Sequence, residues 1–218
     1  MSSFSFKQVL LVFFCYKILS GEATWHKLNF GPPACFEARN NRPGYVTYRG
    51  LQGILVGALK LVHRSGHVRC VSDVAFNSRW GCHDYSSLKA SPLNVVITDK
   101  QNNLIFPLPQ FIKYAASLWY DMPVVDDLHS DELVFSNFDF PLYLQPHMEL
   151  RVWYGEDLKN RYDGDNQGRV CVDVFGYVIG DIGGGQGGSS GGGGNSRAQV
   201  LLKDLRQSLG HVMQNNWK

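Results

Sequence analysis

The chain has 218 residues, of which 44% are hydrophobic, 13% aromatic and only 18% charged. That apolar share excludes a wholly disordered chain, and the length suits one domain with extensions. Twenty-one Lys and Arg against 19 Asp and Glu leave a net +2, which gives no global argument for nucleic acid or an acidic substrate.

The first element in chain order is an export signal. Lys7 precedes the apolar run Val9 to Tyr16, and Ser20, Gly21 and Ala23 supply the small residues a cleavage site needs. Residues 1–23 are therefore expected to be removed. The run is too short to span a bilayer, and no other stretch reaches that length, so a secreted protein without a transmembrane segment is expected. Beyond the signal lie four cysteines, Cys35, Cys70, Cys82 and Cys171. An even number in an exported chain reads as two disulfides, with three connectivities open. In one of them Cys70 and Cys82 close a short loop while Cys35 and Cys171 tie the start of the domain to its end.

Residues 24–182 form the expected body. Gly53–His63 and Val68–Phe76 are β-rich runs about a turn at Arg64–His67. Leu93–Thr98 and Leu104–Phe106 flank a polar five-residue loop, which predicts a hairpin. Phe111–Trp119 has helical spacing. Leu133–Phe138 and Leu142–Leu144 add strands, and Glu149–Tyr154 and Val170–Phe175 alternate with the period of a half-buried strand. The fold class is all-β: an antiparallel, jelly-roll-like sandwich stabilised by disulfides. Residues 183–194 hold nine glycines in twelve positions and read as a flexible linker. In 195–218, Leu201, Leu205, Leu209, Val212 and Met213 recur at steps of three or four, predicting an amphipathic helical tail. Such a helix needs a partner: the body, a second copy or another molecule.

Charge in the body is segregated. Residues 39–80 carry seven basic side chains and one acidic, whereas 121–139 carry six acidic and no Lys or Arg. The segments either face each other or steer a charged partner. Asp163, Asp165 and Asn166 lie in a Gly-punctuated loop whose oxygens suit calcium, although the full helix–loop–helix pattern fails at Gln167 and Val174. Trp153, Asp126 and Asp127 are candidate ligand contacts. His63, His67, Cys70, Cys82 and His83 match no zinc spacing, and oxidised cysteines would remove the thiolates. No nucleophile elbow, HExxH or P-loop occurs, so neither a catalytic residue nor a resident cofactor is assigned.

The phrases Pro33–Asn41, Leu59–Cys70, Trp80–Cys82, Ser91–Val95, Trp153–Leu158 and Cys171–Val174 together resemble a module of cnidarian secreted proteins, some similar to coral skeletal organic matrix proteins. The resemblance implies an extracellular, disulfide-linked, non-enzymatic module. The leading expectation is a matrix or adhesion module that meets an extracellular-matrix or cell-surface partner, with self-association through the tail helix. The alternative is a carbohydrate-binding, lectin-like module that uses calcium.

Overall fold

The computed structural model describes residues 23–182; the expected signal, linker and tail helix fall outside them. Strands β1 (Thr24–Lys27), β2 (Ala34–Glu37), β3 (Gly44–Thr47) and β4 (Gly53–Arg69) are followed by β5 (Val95–Asp99), β6 (Leu104–Phe106), β7 (Ile112–Tyr114) and β8 (Trp119–Tyr120). The chain continues with β9 (Glu132–Ser136), β10 (Leu142–Leu144), β11 (Glu149–Tyr154), a five-residue helix α1 (Gly155–Lys159) and β12 (Gln167–Ile182). One sheet runs β1-β12-β4-β10, with β2 also on β12 and β9 also on β4. A second runs β3-β11-β5-β6, and β7 with β8 forms a ribbon.

Inward side chains of both main sheets share one buried core, with Phe36, Val56, Leu61 and Val172 from the first and Val46, Ile97 and Val152 from the second. The alternation read in Glu149–Tyr154 is the alternation of burial seen on β11 through Val152. Both disulfides are formed, Cys35–Cys171 and Cys70–Cys82. The first joins facing positions of β2 and β12.

Three local expectations fail for identifiable reasons. Arg64–His67 is no turn, because β4 continues through it beside β12. A Cβ on Gly66 would stand 2.0 Å from the Arg169 carbonyl oxygen, and one on Gly168 would stand 2.2 Å from that of His67. Both glycines have positive φ, so the bare backbones lie against each other where the sequence suggests a reversal. Val74–Phe76 is a single 3₁₀ turn capped by Asp73 rather than strand. Phe111–Trp119 is not a helix: it holds β7, a turn and β8, with Pro109 opening a 3₁₀ turn just before. Tyr114, Trp119 and Tyr120 suit strands as well as they suit an apolar stripe.

Candidate functional site

Two walls and a floor enclose a cleft of about 570 Å³. One wall comes from the segment after β4, with Tyr85, Ser87 and Leu88. The other is the β7–β8 link, with Tyr114 and Ser117. Trp119 and Glu156 form the floor, and Tyr162 and Asp165 stand at the mouth.

Asn94, fully buried, pins these parts together. Its Nδ2 donates to the Ser117 carbonyl at 2.8 Å, and its Oδ1 accepts from the Glu156 amide at 3.0 Å. The Gly155 amide donates to the Asn94 carbonyl at 2.7 Å. A Cβ on Gly155 would come within 3.0 Å of Leu118 and Ser117, so only glycine lets α1 start this close to the β7–β8 link. Helix α1 stops at Asn160 in the left-handed conformation, and Tyr162 also has positive φ, at 60°. A bulky residue held in that region marks local strain, which collects at binding sites. Tyr162 is 67% exposed, with the Arg161 guanidinium 5.3 Å from its ring centre.

Glu156 is 4% exposed. Its Oε1 accepts from Trp119 Nε1 at 2.9 Å and its Oε2 from Asn166 Nδ2 at 3.0 Å. Burial raises its pKa to about 7. The Trp119 and Asn166 donors pull the other way, and the carboxylates of Asp165 and Asp163 add to the rise. Asn166 is itself fully buried; its Nδ2 also donates to the Ala38 carbonyl, whereas its Oδ1 has no partner among the described residues.

The expected contact residues are dispersed. Asp165 lines the cleft, with Asn166 beneath it on the Glu156 carboxylate and Asp163 nearby on the same loop. Trp153 is 5% exposed in the core, and its Nε1 has no partner among the described residues. Asp126 is exposed and accepts from the amides of Leu128 and His129, closing a turn. Asp127 is buried, with Oδ1 3.3 Å from His83 Nδ1. None of these last three lines the cleft. Among the described residues, no three His, Cys, Asp or Glu side chains are grouped to hold a metal ion.

The two charged stretches partly face each other. Lys60 pairs with Glu132 at 2.9 Å, and Arg79 pairs with Asp131. With Arg42 on Glu37 and Arg64 on Asp173, four of the seven basic side chains of that stretch are held in ion pairs within the fold.

Tyr85, Tyr114 and Tyr162 were not singled out by sequence reasoning. Each sits in a different stretch, and no periodicity links them. Glu156 and Trp119 carry a faint signal, as an acid next to an alternating strand and an aromatic near a turn.

Tyrosine rings, hydroxyls and carboxylates around an open cleft are the groups that hold a polar ligand with an apolar face. No protein-family model matches the chain, and no curated protein matches it. Among solved structures it is similar to AJLec from the sea anemone Anthopleura japonica, which by its name is a lectin. The two share 37% identity with a TM-score of 0.64, over 72% of this chain and 98% of that one. The chain belongs to the family of AJLec.

Proposed function

We propose that this protein is an exported carbohydrate-binding module, a disulfide-tied β-sandwich that holds a sugar in the cleft between Tyr85, Tyr114 and Tyr162. The observation that carries this reading is the convergence of three tyrosines with Glu156, Asp165 and two serines in one cleft of a chain related to a sea anemone lectin. A pyranose has an apolar face that stacks on an aromatic ring and a rim of hydroxyls that donate to carboxylates and accept from hydroxyls. The expectation of a matrix or adhesion module gains less support, since the relative points to sugar recognition. Paired disulfides and the absence, among the described residues, of a helix long and apolar enough to cross a membrane fit export.

A glycan array probed with the purified chain tests this, run once with added calcium and once with chelator. Binding to a defined set of glycans is expected, and silence in both conditions would remove the reading. Loss of binding in chelator alone would show that a cation takes part, and loss of that calcium dependence in Asp163→Asn or Asp165→Asn would assign it to the loop of Asp163, Asp165 and Asn166, whose oxygens are of the type calcium takes.

A buried carboxyl with a pKa near 7 beside a second carboxylate also suits glycoside hydrolysis. Both oxygens of Glu156 are already engaged by Trp119 and Asn166 beneath the surface, which favours a structural acid. No release of chromophore from aryl glycosides is expected; turnover lost in Glu156→Gln would reverse that assignment.

A further inference from the structure

We infer that His63 is an acid trigger for residues 126–131, the loop that leads into β9: a proton on its ring sets a positive charge against Arg79 and the ring of His67, and the loop parts from the end of β4. Leu59, Leu61 and His63 alternate along β4, and the two leucines are buried in the core, so the third position brings an imidazole to the rim of that core. There its ring centre stands 6.1 Å from that of Trp80, which is fully buried, and 6.2 Å from that of His67. Its Nε2 lies 2.8 Å from the Gly66 carbonyl oxygen. The charged and titratable side chains that act on it are Arg79, His67 and Asp131. Arg64, the next residue of β4, is paired with Asp173 at 2.7 Å.

The loop is fastened at this same spot. The Asp127 carbonyl accepts from the Ser78 hydroxyl at 2.8 Å and from the amides of Arg79 at 2.9 Å and Trp80 at 3.2 Å. Trp80 Nε1 donates to the Ser130 carbonyl at 2.8 Å, and the His63 amide donates to the Asp131 carbonyl at 2.8 Å. The Arg79 guanidinium donates to the His129 carbonyl at 2.9 Å and to the Asp131 carboxylate. Burial holds His63 below the ordinary histidine range. Arg79 and His67 add to that, while the Gly66 carbonyl and Asp131 pull the other way. Once the loop parts, water reaches the ring and the residue takes a proton at its ordinary value. The open form then binds more protons than the closed one, so acid favours opening. The other histidines at the loop have the opposite sign: His129 faces Asp126 at 3.1 Å and His83 faces Asp127 at 3.3 Å, and a proton on either adds attraction.

The test is amide hydrogen exchange of the whole chain between about pH 7.5 and about pH 5, corrected for the chemical exchange rate. The amides of His63, Arg79 and Trp80, which loop carbonyls close, report opening of the loop, and those of the β5–β11 ladder report the fold at large. Protection at the three reporters is expected to fall at least about threefold across that range while the ladder holds. His63→Asn, whose side-chain amide donates to the Gly66 carbonyl and takes no proton, should remove the fall. The His63 ring proton of the parent, followed by nuclear magnetic resonance and needing no variant, should titrate below the ordinary 6.5. Three results would each overturn the inference. Reporter protection that stays level while the ring titrates would show that the charge is tolerated. An equal fall in His63→Asn would assign the response to another group. A fall shared by the β5–β11 ladder would be unfolding of the whole body and not release of the loop.

Discussion

Asp173 and Glu156 are both buried carboxylates, and their surroundings push them in opposite directions. Burial alone would raise Asp173, but hydrogen bonds from Lys27, Asn29 and Arg64 outweigh it and hold the group below the usual carboxylate range. Lys27 Nζ lies at 2.9 Å and Arg64 Nε at 2.7 Å, while Asn29 bridges Asp173 and the amide of Val174. The stabilisation is present above the ordinary carboxylate pKa and is lost as pH falls through the depressed folded value. Asp173→Asn should cost about 2–3 kcal/mol, less than a fully buried pair because Lys27 and Arg64 are partly exposed. Urea unfolding near neutral pH would show it; a variant as stable as the parent would mean the cluster contributes nothing net.

Glu156 carries the opposite sign. Its folded pKa, about 7, stands above the ordinary 4.5, so between those values the native state holds more protons than the unfolded state. Stability from this group therefore falls as pH rises through that window, by roughly 3 kcal/mol at most. His63, lowered by burial, opposes this in both proteins. Subtracting the unfolding free energy of Glu156→Gln from that of the parent at each pH should isolate the downward trend, and a flat difference would contradict it. Of these residues, Asp173 was legible only as the polar member of an alternating strand; its three partners come from β1, the turn after it and β4, which no local pattern joins.

At the scale of elements, β4 and β12 approach so closely at Gly66 and Gly168 that a side chain at either would meet the other strand's backbone. Gly168→Ala would drive a methyl group into the His67 carbonyl and force an L residue to φ 98°, so a loss on the order of 3 kcal/mol or more is expected. Gly164→Ala, with open space around it, is the matched control and should stay within about 0.5 kcal/mol of the parent. Thermal unfolding of the pair reads the contrast, and equal midpoints would show that β4 and β12 can part without cost. Strand β11 and the β5–β6 hairpin were legible because alternation and a polar loop are local signals. The straight run of β4 was not, because the glycine that looks like a turn is required by a neighbour a hundred residues away. The same limit explains α1: five residues, too few for a periodicity, held by Asn94 from a distant strand start.

For the whole molecule, cysteine parity announced two bridges, and only the strand order shows which. Cys35 and Cys171 face each other on β2 and β12 and remain partly accessible, whereas Cys70 and Cys82 are buried at 6% and 0% exposure. A mild reductant should therefore free Cys35 and Cys171 first, as read by alkylation and peptide mapping; initial labelling at Cys70 and Cys82 would contradict the burial. Losing the longer bridge through paired Cys35→Ser and Cys171→Ser changes should cost about 2–5 kcal/mol. The cleft, by contrast, was hardly legible. Tyr85 and Tyr162 lie in separate loops and Tyr114 ends β7, and their convergence is a property of the packed sheets.

A sugar held in this cleft lies against the ring of Tyr162. Calorimetric titration of a glycan identified on the array into the parent and Tyr162→Ala tests it most directly, with thermal unfolding as the check on folding. Binding about tenfold weaker at an unchanged unfolding midpoint is expected, the scale of one lost stacking contact. Equal affinity for the two proteins would place the sugar elsewhere.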